Sequence, residues 1–386
     1  MAEENAVVEN GKNMNQQDII KLSAEQRFAE ELATLTEHDH APRPQGWLRS
    51  PKAVRQFILG DEKLAISRKF YGDDALVDRA IVTLLGKQGL MLVGEPGTAK
   101  SMLSELLAAA ISGDSGLTIQ GTAGTTEDHL KYSWNYALLL AEGPNEKSLV
   151  PSPVYQAMQQ GKIIRFEEIT RCPPEIQDVL VSLMSEKTMM IPELGEQGRI
   201  YAKAGFNIIA TANLRDRGVH EMSSALKRRF NFETVRPIAD PVFERELVLT
   251  QLKRELGDLS GQIQITESVV DLLVTVFQEL RQGTTKDGTS IKTPDAVMST
   301  AEAVNIAYAA ALEGYYLGDQ SLSGAAIARQ LIGVVLKDNA DDAKRMRFYM
   351  DNVARERAKQ DVTWKAFFDA GKTFWQRRYL NAYNRP

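Results

Sequence analysis

Lys100 and Ser101 close the run Gly94-Glu95-Pro96-Gly97-Thr98-Ala99-Lys100-Ser101. An ammonium and a hydroxyl at the end of a glycine-bounded loop suit a polyphosphate. Backbone N–H groups of such a loop, and of the helix it opens, converge on the phosphate oxygens. Lys100 would reach the β- and γ-phosphates, and the Ser101 hydroxyl would bind Mg²⁺. The candidate binding segment runs from Gly94 through Met102. Ala99 stands where such loops usually carry glycine. Alanine costs roughly 1–2 kcal/mol in a left-handed conformation and favours a right-handed helical start over glycine by about 1 kcal/mol. Ala99 is therefore harmless if it already belongs to the helix.

A second group of reactive side chains lies downstream. Lys162-Ile163-Ile164-Arg165-Phe166-Glu167-Glu168 is a mostly apolar stretch ending in two carboxylates. One acid can support Mg²⁺ and the other can orient an attacking water; Glu167 is assigned to the metal and Glu168 to the water. Taken alone, the pair reads equally well as solvated acids at a strand end. Asn213 ends the apolar run 206–212 and could hydrogen-bond a γ-phosphate or the water, although Asn is also an ordinary turn residue. Arg228 and Arg229 precede another apolar run. An arginine can stabilise the charge of a phosphoryl transition state; a basic helix end complementing the dipole is the plainer reading. Cys172 is read as an inert small residue.

These groups need a scaffold that brings them together. The stretches 89–93, 117–121, 162–166, 206–211 and 230–235 are short and mostly apolar without alternation, as buried parallel strands are. Helical patterns separate them, so a helix-flanked α/β sheet is expected. Leu103, Leu106, Leu107, Ala110 and Ile111 form a helical stripe directly after the loop. In a parallel sheet, ligands sit beyond the carboxyl ends of the strands, which would place both acids on the loop's edge. Residues 188–202 read as a hairpin.

Four segments are expected. Residues 1–45 form a polar tail with one helix at most, and 46–236 the nucleotide-binding core. Residues 237–340 form a helical lid with stripes such as Val270, Leu273, Val274, Phe277 and Leu280, and Val297, Ala301, Val304, Tyr308 and Leu312. Residues 341–386 form a helical tail. From 344 onward it carries eleven Lys/Arg against four Asp/Glu, with Trp364, Phe367, Phe368, Phe374, Trp375, Tyr379 and Tyr383 on a broad face. Docking on the lid or a neighbouring subunit is the favoured reading of that face; contact with a nucleic acid or a partner protein is the alternative.

Composition narrows the class. A 43% hydrophobic and 25% charged chain is an ordinary globular protein. A net charge of −5 argues against a protein that coats nucleic acid. One cysteine among 386 residues fits a reducing compartment, and none of the four histidines has zinc-ligand spacing. The N-terminus lacks a signal-peptide core and no apolar run spans a bilayer, so a cytoplasmic protein is expected.

Together these motifs resemble AAA+ ATPases, and within them the MoxR family. The loop 94–101 looks like that family's Walker A form, including its alanine. Phe166-Glu167-Glu168-Ile169-Thr170-Arg171-Cys172-Pro173-Pro174 looks like its Walker B strand and following helix start. Ala210-Thr211-Ala212-Asn213 resembles sensor 1, and Leu226-Lys227-Arg228-Arg229-Phe230 the arginine-finger segment, with Arg229 ahead of Arg228. The resemblance implies an α/β AAA+ P-loop core: a five-stranded parallel sheet in the order 5-1-4-3-2, helices on both faces, and a helical lid. It implies Mg²⁺-dependent ATP hydrolysis in a ring, usually a hexamer, with the site at the subunit interface. It also implies chaperone-like remodelling of a protein client, often with a von Willebrand factor A domain partner. Residues 136–150 and the 188–202 hairpin are candidates to face that client.

Two departures stand out. Family lids carry a sensor 2 arginine after Ser/Thr-Pro, whereas Thr293-Pro294 is followed by Asp295; Arg329 is the candidate replacement. Glu167 stands where the metal residue is usually Asp. A nucleic-acid-directed motor and a slow, nucleotide-gated scaffold are the alternative functions.

Overall fold

The computed structural model describes residues 6–9, 12–15, 21–213, 220–295, 298–335 and 340–377. They form two compact units. One runs to Gly94 and from Ala99 to Val235; the other comprises Glu95–Thr98 and the chain from Arg236 onward.

The first unit is built on five strands: β1 (Gly89–Gly94), β2 (Thr118–Gln120), β3 (Ile163–Glu167), β4 (Asn207–Asn213) and β5 (Phe230–Val235). All pair in parallel, in the order β5-β1-β4-β3-β2, which is 5-1-4-3-2 along the chain. The pleat divides the apolar run of β1. Leu90 and Leu92 join a core with Val54, Phe57, Val77, Ile81, Leu103 and Leu107. Met91 and Val93 join the opposite core with Val154, Met158, Ile176, Leu180 and Leu183. Helices thus cover both faces, which is why these strands do not alternate with polar residues. The helices are α1 (Ala29–His38), α2 (Pro51–Leu59), α3 (Asp74–Leu85), α4 (Lys100–Ser112), α5 (Tyr136–Glu142), α6 (Pro153–Gln160), α7 (Pro174–Glu186) and α8 (Ser224–Lys227).

The core begins earlier than residue 46. The short helix Ala24–Arg27 and α1 place Ala24, Leu32 and Leu35 in the core shared with α2 and α4. Phe28 packs against the same core; with few apolar side chains turned inward among many charged ones, the segment reads as polar although it is packed. Strands Thr188–Met190 and Arg199–Tyr201 pair antiparallel, as the hairpin reading requires. Tyr132–Trp134 pairs with Leu149–Pro151 and brackets α5, which leaves Tyr136 and Leu140 exposed.

The second unit is helical: α9 (Pro241–Leu256), α10 (Glu267–Gln282), α11 (Thr300–Leu317), α12 (Gly324–Val335), α13 (Ala340–Tyr349) and α14 (Val362–Arg377). Val270, Leu273, Val274, Phe277 and Leu280 of α10 lie in its core with Val304, Ile327, Leu331 and Tyr349. Val297 lies outside the described residues. The tail helix α14 belongs to the same core: Phe367 is fully buried, with Trp364 and Phe368 packed beside it. A Cβ on Gly324 would meet the Thr363 carbonyl at 2.5 Å, so glycine permits the close approach of α12 and α14. Arg357 stacks on Trp364 and donates two hydrogen bonds to buried Glu279. Tyr379 and Tyr383 lie outside the described residues.

Candidate active site

The site grows from the carboxyl ends of three adjacent strands. Parallel register sets Gly94 of β1 beside Asn213 of β4, and Phe166 of β3 beside Ala210. The loop after β1 and the acids after β3 therefore share one edge. Gly97 has φ +74°, and Ala99 follows with φ 66° and ψ 21°. Ala99 does not open the helix in a right-handed conformation; it is the left-handed residue capping α4. The loop must reverse before Lys100, and that geometry imposes the strain which glycine would avoid. Ala99→Gly should relieve roughly 1–2 kcal/mol of strain. It should return about 0.4–1 kcal/mol through the freer unfolded chain. The expected result in urea unfolding is a gain of roughly 0–1.6 kcal/mol, whereas Ala99→Val should lower stability.

Lys100 is almost buried and its ammonium donates to the Gly94 carbonyl at 3.2 Å. Ser101 faces the acids: its hydroxyl donates to Glu167 Oε2 at 2.6 Å. Thr98 Oγ1 donates to the Glu95 carbonyl, tightening the turn around Pro96.

Glu167 accepts four hydrogen bonds. Ser101 and Thr211 hydroxyls meet Oε2 at 2.6 and 2.8 Å; the Ser104 hydroxyl and the Arg165 guanidinium each meet Oε1 at 2.8 Å. Burial works against its charge, but the bond from Ser101, the Arg165 charge and the bonds from Ser104 and Thr211 outweigh it. They hold the carboxyl below the usual carboxylate range. This stabilisation is present above that range and is lost as pH falls through the folded-state value. Arg165 is itself fixed by Ser104 Oγ and by the carbonyls of Ser101 and Ser115. The extra methylene of Glu, relative to Asp, brings the carboxylate into this socket.

Glu168 leaves the strand in a left-handed conformation, φ 54° and ψ 47°. Its N–H donates to Thr211 Oγ1 at 3.0 Å. Its carboxylate pairs with Arg171 at 2.8 Å and accepts from Asn213 Nδ2 at 3.4 Å. Gly121 donates its N–H to the Glu167 carbonyl at 2.7 Å, and a Cβ there would lie 2.4 Å from the Glu168 carbonyl; only glycine fits.

The structure thus brings Ser101, Glu167, Glu168 and Asn213 together at the edge of the sheet where Lys100 opens α4. Arg228 and Arg229 lie apart from this group, just before β5. Arg228 is exposed, while Arg229 is half-buried and donates to Ser185 Oγ and the Ala225 carbonyl. Asp295 is no sensor; it pairs with Arg345 at 2.7 Å. Arg329 pairs with Glu313. Cys172 is buried, and burial pushes its thiol up, which fits an inert residue. Sequence reasoning missed Arg165, Ser104 and Thr211. The available signal was a polar residue at an otherwise apolar position of a strand or helix stripe.

The donor set suits a magnesium nucleotide. Mg²⁺ takes oxygen ligands and usually rests on one or two protein groups together with phosphates and water. Among the described residues no three His, Cys, Asp or Glu side chains gather into a metal cage. Ser101 and Glu167 would offer such an ion a hydroxyl and a carboxylate.

A sheet in this order, with a strand, a loop closed by Lys-Ser, the helix these residues open and paired acids two strands away, defines an AAA+ P-loop protein. Residues 89–230 match the AAA domain of the dynein-related subfamily, and residues 243–374 match the C-terminal domain of YehL-like AAA+ ATPases. YehL of Escherichia coli strain K12 is 52% identical over 344 residues, covering 89% of this chain and 94% of that one. YojN of Bacillus subtilis strain 168 is 26% identical, over 60% of this chain and 75% of its own. The chaperone MoxR1 of Mycobacterium tuberculosis is 28% identical over 185 residues, 47% of this chain and 45% of its own. The chain belongs to the YehL-like family of AAA+ ATPases, with a MoxR-like nucleotide-binding domain. No helix among the described residues is long and apolar enough to cross a membrane.

Proposed function

We propose that this chain is a cytoplasmic, Mg²⁺-dependent ATPase that works as a ring, usually a hexamer, to remodel or activate a protein client. The observation that carries the reading is the Ser101 hydroxyl 2.6 Å from Glu167, with the Glu168 carboxylate held beside Asn213. Backbone groups of residues 94–102 bind the phosphates, and Lys100 neutralises the β- and γ-phosphates. Ser101 holds Mg²⁺, which supplies charge neutralisation at the phosphates when bound, and Glu167 supports it through Ser101 and water. Glu168 orients the attacking water as base, and Asn213 links that base to the γ-phosphate. Arg228 or Arg229 of a neighbouring subunit completes the site. A von Willebrand factor A domain protein is the partner class proposed, on the resemblance to MoxR proteins. Burial of Phe367 in the second unit removes part of the aromatic face that a nucleic-acid contact would use.

Steady-state phosphate release should require Mg²⁺ and stop in EDTA. Replacing the true finger by alanine should slow turnover by on the order of 10³–10⁵-fold. Glu168→Gln subunits keep their finger, and Arg229→Ala or Arg228→Ala subunits keep their base. Mixing the two inactive variants should restore activity at hybrid interfaces for the arginine that acts across subunits. No recovery with either arginine variant contradicts the shared site.

A further inference from the structure

Thr211 lies on β4, between the loop strand and the acid strand, and is 2% exposed. Its hydroxyl hydrogen-bonds both glutamates, one through the side chain and one through the backbone. It donates to Glu167 Oε2 at 2.8 Å and accepts from the Glu168 N–H at 3.0 Å. A carboxylate can only accept, so the hydroxyl proton is committed to Glu167 and the lone pairs are left for Glu168. Glu168 needs such a partner. A non-glycine residue in the left-handed region persists where its surroundings over-determine it, and the Thr211 hydroxyl is the acceptor that its N–H meets beyond the end of the strand.

We propose that Thr211 is the positioning residue that couples the metal-supporting acid to the water-orienting acid. The inference rests on the magnesium-ATPase reading above. The Glu167 carboxylate fixes the hydroxyl's rotation, and the hydroxyl fixes the backbone turn that aims Glu168. A shift of Glu167 towards an arriving Mg²⁺ therefore reaches the base through one side chain. Thr211 touches neither nucleotide nor water in this scheme; it acts through the two glutamates.

The test uses Thr211→Val, which keeps the shape and removes the hydroxyl, with Thr211→Ala as a second hydroxyl-free form and Thr211→Ser as the rescue. Glu168→Gln runs in parallel. Both hydroxyl-free variants should lose about 100-fold in kcat, as expected for a misplaced base, while binding of a fluorescent ADP analogue in excess Mg²⁺ stays within about threefold. The Mg²⁺ concentration for half-maximal binding of that analogue should rise about tenfold, the usual effect of losing a residue that orients a metal-supporting group. Thr211→Ser should return both quantities towards wild type. An unchanged kcat in Thr211→Val beside an inactive Glu168→Gln overturns the role of Thr211 and leaves the ATPase reading standing. A wild-type chain that does not hydrolyse ATP overturns the ATPase reading. Thr211 is then judged on the Mg²⁺ midpoint, and an unchanged midpoint overturns it.

Discussion

Glu168→Gln should stop turnover and leave nucleotide binding intact. The expected loss in kcat is about 10²–10⁴-fold, the range for removing a positioned general base. Gln keeps the length and planar end of Glu, but its single carbonyl oxygen can replace only one of the two carboxylate oxygens that meet Arg171 and Asn213. The left-handed turn at Glu168, held by the Thr211 hydroxyl through the backbone, is untouched by the change. Phosphate release and fluorescent-nucleotide binding, measured on the same preparation, separate chemistry from affinity. A variant that hydrolyses ATP at the wild-type rate removes Glu168 from the mechanism. Because it should hold ATP, this variant also suits capture of the client and partner.

Glu244→Ala should destabilise the second unit by about 3–5 kcal/mol, the cost of breaking a buried ion pair from one side. Glu244 is fully buried on α9. It accepts from Arg281 at 2.7 Å, Gln278 at 2.7 Å and Thr300 at 2.5 Å, joining α9 to α10 and α11. Arg281 also donates to the carbonyls of Ile238 and Met298, so removal of Glu244 leaves a mostly buried guanidinium without its counter-charge. Unfolding in urea should show the loss as an earlier transition. Because the two units are separate cores, that transition should split from the unfolding of the five-stranded unit. Unchanged unfolding would mean that water enters and replaces the carboxylate.

Much of the fold was legible. Buried parallel strands are short and apolar, and a helix following a phosphate loop keeps its stripe, so a helix-flanked parallel sheet could be expected from the pattern, while its order followed from the resemblance to AAA+ proteins. The four loop and acid positions were legible for the same reason: chemistry needs those residue types at fixed points of a strand–loop–helix. The N-terminal helices were harder to read. Ala24, Phe28, Leu32 and Leu35 turn toward the core in a charged segment, and so few apolar side chains give only weak periodicity. The condition under which Ala99 is harmless, that it belong to the helix, is not met; residue type alone does not report a backbone reversal. Asp295 and Arg329 show a further limit, since charge type shows that an ion pair can form and the fold chooses the partner.

The order of residues along the chain determined that a lysine and a hydroxyl follow a glycine-bounded turn, and that two acids, an amide and two arginines follow in turn. These are local facts, fixed by covalent spacing and strand or helix period. Arg165 shares β3 with Glu167 two residues away, on the same face of the strand. Only the tertiary structure decided that Ser104 and Thr211 also meet Glu167, and that one hydroxyl spans both glutamates. Those two partners lie on another helix and another strand, brought within hydrogen-bond reach by the packing of α4 on the sheet and by parallel register. A hydrogen bond is specified by ångströms, and the sequence carries distance only within an element.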